Sequence, residues 1–163
     1  MTPAPELVAV VVAEAERAEV PQWLALGLAY AESRWNPEAV SPAGARGLYQ
    51  LMPKTGEAFG LRSVEDFHDA RKNTAAALAY LRHLRRRLPG LPWFKVVAAY
   101  NRGPGWLLQH NDPLTWPAEL QRWLSAIWSY RDAAKKAEEP GSPVEVVCRD
   151  LRTGQPLPSP SGP

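Results

Sequence analysis

The segment Trp23-Leu24-Ala25-Leu26-Gly27-Leu28-Ala29-Tyr30-Ala31 contains no charged side chain and ends directly on Glu32-Ser33. Apolar residues would occupy every face of a helix drawn through it, so the pattern predicts a helix buried on all sides. A carboxyl group at the last turn of such a helix has two reasons to hold its proton. Desolvation disfavours the charged form. The negative end of the helix dipole does so too. A carboxyl group that stays protonated near neutral pH is what a general acid requires, and Glu32 is the first candidate for chemistry.

With 163 residues and 45% hydrophobic content, the chain suits one domain that builds its core without metals or disulfides. Cys148 is the single cysteine, so no internal disulfide is possible. A net charge of +2 is small for a nucleic-acid binder, and no nucleic-acid partner is expected. The Arg85-Arg86-Arg87 cluster reads as a solvated helix end, where cations complement the dipole. No apolar run reaches about 18 residues, so no membrane span is expected. Met1 to Glu6 carries no basic residue and the following apolar run is short, so no signal peptide is read. His68, His83 and His110 are scattered, and neither a metal nor an organic cofactor is expected.

The fold class predicted is all-α. A helix over residues 7–18 precedes the apolar one, which has Pro21 at its first turn and runs to Ser33. Residues 34–46, with Pro37, Ser41, Pro42 and Gly44, read as a folded loop. Pro53 opens a short helix, and residues 64–68 add another turn. Asp69 or Asn73 caps a long helix through Leu88, with Ala77, Leu78, Leu81, Leu84 and Leu88 on one face. Pro92 opens a helix over 93–100. Gly103-Pro104-Gly105 breaks the chain before a short helix through Gln109. Pro117 begins the last long helix, which runs to about Ala137 with Leu120, Trp123, Leu124, Ile127 and Trp128 inward. The Glu138-Glu139-Pro140-Gly141 shift marks a boundary, giving a domain over 1–137 and a tail over 138–163. The tail is read as one short strand over 144–148 followed by a disordered end.

Several short segments carry recognisable chemistry: Glu32-Ser33-Arg34-Trp35-Asn36-Pro37, Ser41 through Thr55 with Gly47-Leu48-Tyr49-Gln50-Leu51-Met52, Ala99-Tyr100-Asn101, and the last helix with Glu119 and Trp123. In this order and spacing they resemble the lytic transglycosylase family, the soluble-lytic-transglycosylase-like catalytic domain with a lysozyme-like fold. The resemblance covers residues 8–128. It implies a helical domain wrapped around a buried central helix, with Glu32 as the catalytic acid and base. It also implies a hydrogen bond from the Tyr100 hydroxyl that orients Glu32 and steadies its carboxylate. Gln50 matches the glutamine that reaches into the cleft, where an amide can donate and accept at once. Asn101 lines the cleft. Ser41 is either a turn residue or a substrate or carboxyl contact, and Met52 is either packing or a sugar contact. Glu119 matches the family glutamate. Trp123 stands where a tyrosine is usual; it can stack on a sugar but offers no phenolic oxygen, and Tyr130 lies two turns further on.

The resemblance implies cleavage of the β-1,4 bond between N-acetylmuramic acid and N-acetylglucosamine in peptidoglycan glycan strands, by a monomer acting on the cell wall. Glycosidases of the usual kind need a second carboxylate. Glu38, Glu57 and Asp66 read as surface or capping groups, which agrees with assistance from the substrate and a 1,6-anhydro product. Three rivals stand beside this: a hydrolytic muramidase on the same fold, a non-catalytic virion or cell-wall-binding subunit, and a plain helical scaffold holding seven tryptophans. With no export leader read, the chain fits a phage virion or lysis enzyme, a fragment of a secreted protein, or an exported protein without its leader.

Overall fold

A computed structural model describes residues 2–138. The chain beyond 138, including the strand expected over 144–148, lies outside the described residues, and Glu138, expected to open the tail, is the last residue of α8. The elements are α1 (Pro5–Ala18), α2 (Gln22–Ser33), α3 (Pro53–Ala58), α4 (Val64–His68), α5 (Ala70–Arg87), α6 (Trp93–Arg102), α7 (Pro104–Gln109), a 3-10 turn (Pro113–Thr115) and α8 (Ala118–Glu138). Only isolated β-bridges occur among the described residues, pairing Val40 with Arg46 and Arg46 with Leu51. The all-α architecture read from the sequence is the one observed among the described residues.

The apolar run becomes α2, and Leu24, Ala25, Leu26, Gly27, Leu28 and Ala29 are all buried. Its heaviest packing is against α8, with α1 on another side. Gly27 permits the α8 contact: a Cβ there would stand 2.7 Å from the Ile127 carbonyl oxygen, so the two backbones touch. Trp23 and Trp128 meet edge to face with ring centroids 5.3 Å apart.

Helix α5 buries Ala77, Leu78, Leu81, Leu84 and, just past its end, Leu88, the face read from the sequence. It packs on α1 through residues such as Val11, Val12 and Ala15. The cap is Asp69, whose carboxylate accepts from the Lys72 N–H at 2.8 Å. Asn73, the alternative cap, is instead fully buried. The exposed Arg85-Arg86-Arg87 end carries Arg85 over the Trp93 ring at 4.0 Å.

Candidate active site

Glu32 occupies the last turn of α2, where Arg34 closes the helix in the left-handed region. Arg34 and Trp35 both have positive φ, 54° and 65°, so the chain reverses sharply just after the acid. Local bonds stabilise that reversal. The Ser33 hydroxyl donates to the Ala29 carbonyl at 3.3 Å and accepts from the Asn36 N–H at 3.2 Å. The indole of buried Trp35 donates to the Tyr130 hydroxyl at 3.2 Å, and the Arg34 guanidinium donates to the Tyr30 hydroxyl at 2.8 Å. Arg34 is therefore engaged by a phenol, and Tyr130 serves the turn.

Glu32 keeps partial solvent access. Burial around its carboxyl group nevertheless pushes its pKa up to about 8. The reason is the helix beneath it, which supplies apolar neighbours and no cation. Burial pushes the pKa of the Tyr100 phenol far up as well, and the charge of Glu32 adds to the rise.

The loop over residues 36–51 follows the turn and is tied to α2 through Tyr49 and Ala25. Ser41 organises its tip: the Ser41 N–H donates to the Ala45 carbonyl at 2.9 Å, and the Ser41 hydroxyl accepts from the Ala45 N–H at 3.0 Å. Gly44 and Gly47 sit at φ 91° and 81°, as the sequence leads one to expect of glycines in such a loop. The Arg46 and Leu51 peptides exchange hydrogen bonds across the base.

Gln50 departs from its expected role. Its Nε2 donates to the Ala39 carbonyl at 3.1 Å and to the Gly47 carbonyl at 2.9 Å, with its own φ at 49°. Both amide protons hold the loop together, each adding a second donor to a carbonyl that also accepts a loop N–H, Ala39 from Gly47 and Gly47 from Gln50. Only Oε1 remains to face a ligand. Met52, two residues on, is 45% exposed and forms an apolar surface beside it.

Tyr100 departs as well. Its hydroxyl donates to the Tyr49 carbonyl at 2.9 Å rather than to Glu32, since that loop carbonyl has no partner in regular structure. Tyr80 packs against its ring, centroids 5.3 Å apart. Asn101 follows it on α6 and is exposed. Arg102 then reaches across to Glu119 on the first turn of α8, N to O 3.5 Å. The Glu119 side chain is itself largely exposed. Trp123, one turn later on the same face, is half-buried against the core. The end of α6 thus brings Tyr100, Asn101 and, through Arg102, Glu119 to one edge of the fold.

Glu38 and Glu57 are exposed, and Asp66 accepts from the Arg62 N–H and the Lys72 ammonium, so these carboxylates are surface or capping groups. Two surface cavities, of about 370 and 320 Å³, border neither Glu32 nor Tyr100.

Sequence reasoning missed Asn73. Its Oδ1 accepts from the Tyr49 N–H at 2.9 Å, and its Nδ2 donates to the Phe67 carbonyl at 3.0 Å and the Arg46 carbonyl at 3.3 Å. The signal for it was its register, four residues before Ala77 on the buried face of α5. It also missed the tie made by Tyr49, whose buried phenol donates to the Ala25 carbonyl of α2 at 2.9 Å.

Comparison with known proteins adds independent findings. The family model for the transglycosylase SLT domain matches residues 9–114. A membrane-bound lytic murein transglycosylase F of Alcanivorax borkumensis is 33% identical over 144 residues, covering 79% of this chain and 30% of the relative. One of Yersinia pestis is 37% identical over 103 residues, covering 55% of this chain and 20% of the relative. The chain thus spans less than a third of the length of these relatives. Among solved structures, the 70 kDa soluble lytic transglycosylase of Escherichia coli superposes with a TM-score of 0.65 at 27% identity, over 83% of this chain and 25% of that one. The lytic transglycosylase Slt of Pseudomonas aeruginosa gives a TM-score of 0.67 at 22% identity, over 91% and 25%, and shows likeness of fold.

Proposed function

The chain belongs to the transglycosylase SLT-domain family, and from that premise we propose that it is a peptidoglycan lytic transglycosylase with Glu32 as its single acid and base. What supports this most is the place of Glu32 in the last turn of buried α2, where burial pushes its pKa up to about 8.

The reaction follows from one carboxyl group. Glu32 gives its proton to the glycosidic oxygen as the bond from C1 of N-acetylmuramic acid breaks, and N-acetylglucosamine leaves as an alcohol. The acetamido oxygen of the same muramic sugar stabilises the positive charge developing at C1. Glu32, now a carboxylate, removes the proton of that sugar's 6-hydroxyl, whose oxygen bonds to C1. A 1,6-anhydro ring forms, the carboxyl group regains its proton, and no water is consumed. The exposed amide of Asn101, the free Oε1 of Gln50, the Ser41 hydroxyl and the apolar surface of Met52 are proposed to hold the glycan strand, with Trp123 stacking on a sugar face and Glu119 placed at the same edge. Its partner is the glycan strand and its place of action the cell wall; among the described residues no helix is long and apolar enough to cross a membrane. It works as a monomer, which light scattering on the purified chain checks.

The test is mass spectrometry of products from purified sacculi. Wild type is expected to release anhydro-muramic ends, lighter by one water than the reducing ends of a hydrolase. The Glu32→Gln variant is expected to keep its fold and lose about 10²-fold to 10⁴-fold or more of the rate. Reducing ends would assign hydrolysis, and an active Gln variant would remove Glu32 from the role.

A further inference from the structure

The turn that follows Glu32 is fastened to a distant helix. The indole of Trp35, only 7% exposed, donates to the Tyr130 hydroxyl of α8 at 3.2 Å, 95 residues further along the chain. The Tyr130 ring packs in turn on the Tyr30 ring of α2, centroids 5.9 Å apart. Tyr30 carries the guanidinium of Arg34, whose Cζ stands 4.7 Å from the ring centroid and whose N–H donates to the hydroxyl at 2.8 Å. Two packed phenols thus accept from consecutive residues of the turn.

Glu32 lies inside the ring closed by the bond from the Arg34 N–H to the Tyr30 carbonyl, 2.9 Å, which ends α2. A terminal turn is the part of a helix that unwinds first. Arg34 and Trp35 both hold left-handed backbone that a side chain disfavours, which adds to the tendency to open. The local bonds, Ser33 to Ala29, Asn36 to Ser33 and Arg34 to Tyr30, join neighbours in one segment and give way together with the turn they close. Among the described residues, the bond to Tyr130 is the one side-chain hydrogen bond that ties residues 33–36 to another helix. Its anchor stands still, because Ile127, one turn before Tyr130, lies against the Gly27 backbone.

We propose that Tyr130 is a positioning residue: by holding the Trp35 indole on α8 it keeps the last turn of α2 wound, and so keeps the Glu32 carboxyl group in the place from which its proton is given. The phenol suits this part because its oxygen is the acceptor that a buried indole N–H needs. A phenylalanine would keep the ring on Tyr30 and leave that N–H unpaired. The action runs along the backbone from Trp35 to Glu32 and asks for no contact between Tyr130 and either the glycan or the carboxyl group.

This inference rests on the reading of Glu32 as the acid, and its test separates the two. Tyr130→Phe in the full chain removes the acceptor. Trp35→Phe removes the donor and reads the same bond should Tyr130→Phe not fold. Turnover is measured on soluble, uncross-linked glycan strands, and amide hydrogen exchange at Arg34 reads the opening of the last turn. The kcat is expected to fall about five- to tenfold, the scale of one hydrogen bond, with KM unchanged and Arg34 exchange faster by a similar factor. A kcat unchanged in a folded variant, with only the melting temperature lowered, assigns Tyr130 a structural role and overturns the proposal. Unchanged exchange at Arg34 overturns it too, because the turn then does not open. A risen KM in place of a fallen kcat gives Tyr130 to glycan binding and overturns it as well. Cleavage by Glu32→Gln overturns the acid reading instead, whatever the exchange shows.

Discussion

At the scale of single residues, Glu32 links protonation to stability and, in the proposed reaction, to rate. Its folded-state pKa of about 8 lies above the value of about 4.3 for an unperturbed glutamate. The folded chain therefore binds this proton more tightly than the unfolded chain does. The stabilisation is full below about pH 4 and is lost as the pH rises through about 8, at no more than about 1.4 kcal/mol per unit. Chemical denaturation at pH 4 and pH 9 should show the wild type losing stability relative to Glu32→Gln, whose side chain does not titrate. Cleavage by the wild type should fall as the pH passes about 8, because the proton donor is then ionised. Gln50 gives a second prediction. Gln50→Glu keeps the size but removes both side-chain donors to Ala39 and Gly47 and sets a carboxylate against those carbonyl oxygens, each left with one backbone N–H donor. It should cost about 1–3 kcal/mol in urea denaturation. Glu32 was legible in the sequence because an unbroken apolar helix carries the carboxyl group at its end out of water. The bonding of the Gln50 amide to its own loop was not, because nothing in the local pattern says which carbonyls a loop turns toward a side chain.

At the scale of elements, most helices were legible because proline starts, an aspartate cap and apolar registers mark them directly. Pro5, Pro53, Pro92 and Pro104 each stand at or just before a helix start, and Asp69 caps α5. What could not be read was how closely two helices approach. In the sequence Gly27 is a mere interruption of an apolar run, yet it is where α2 lies against the Ile127 backbone. Alanine is the better helix former by about 1 kcal/mol, but a methyl group 2.7 Å from a carbonyl oxygen has nowhere to go. The clash decides the sign. Gly27→Ala should lower stability by about 1–3 kcal/mol, read as a reduced melting temperature. The buried face of α5 was legible as a stripe, but Asn73 at its start reads as an optional cap because polar residues usually occupy caps rather than cores. Its three bonds account for the exception.

At the scale of the whole molecule, the match to the family model ends at residue 114, while α8 runs over Ala118–Glu138. The packing argues that the folding unit is longer than that match. Helix α8 makes the most extensive contact with α2 and buries Leu120 and Ile127 against the core. A chain cut after Pro117 would expose Trp23 and the α2 stripe together. It should lose cooperative thermal unfolding by circular dichroism, whereas a cut after Glu138 removes none of the described helices. The order of helices and the central place of α2 were legible at this scale; the pairing of α2 with α8 was not, because sequence periodicity identifies a buried face without identifying what covers it. The contact at Gly27 carries a mechanical consequence. With two backbones touching there, the helix carrying the carboxyl group has no clearance to slide, tilt or breathe. In the proposed reaction, adaptation to a stiff sugar polymer then falls to the 36–51 loop, and a ligand shaped to one unmoving carboxyl group should meet the same geometry in every copy of the chain.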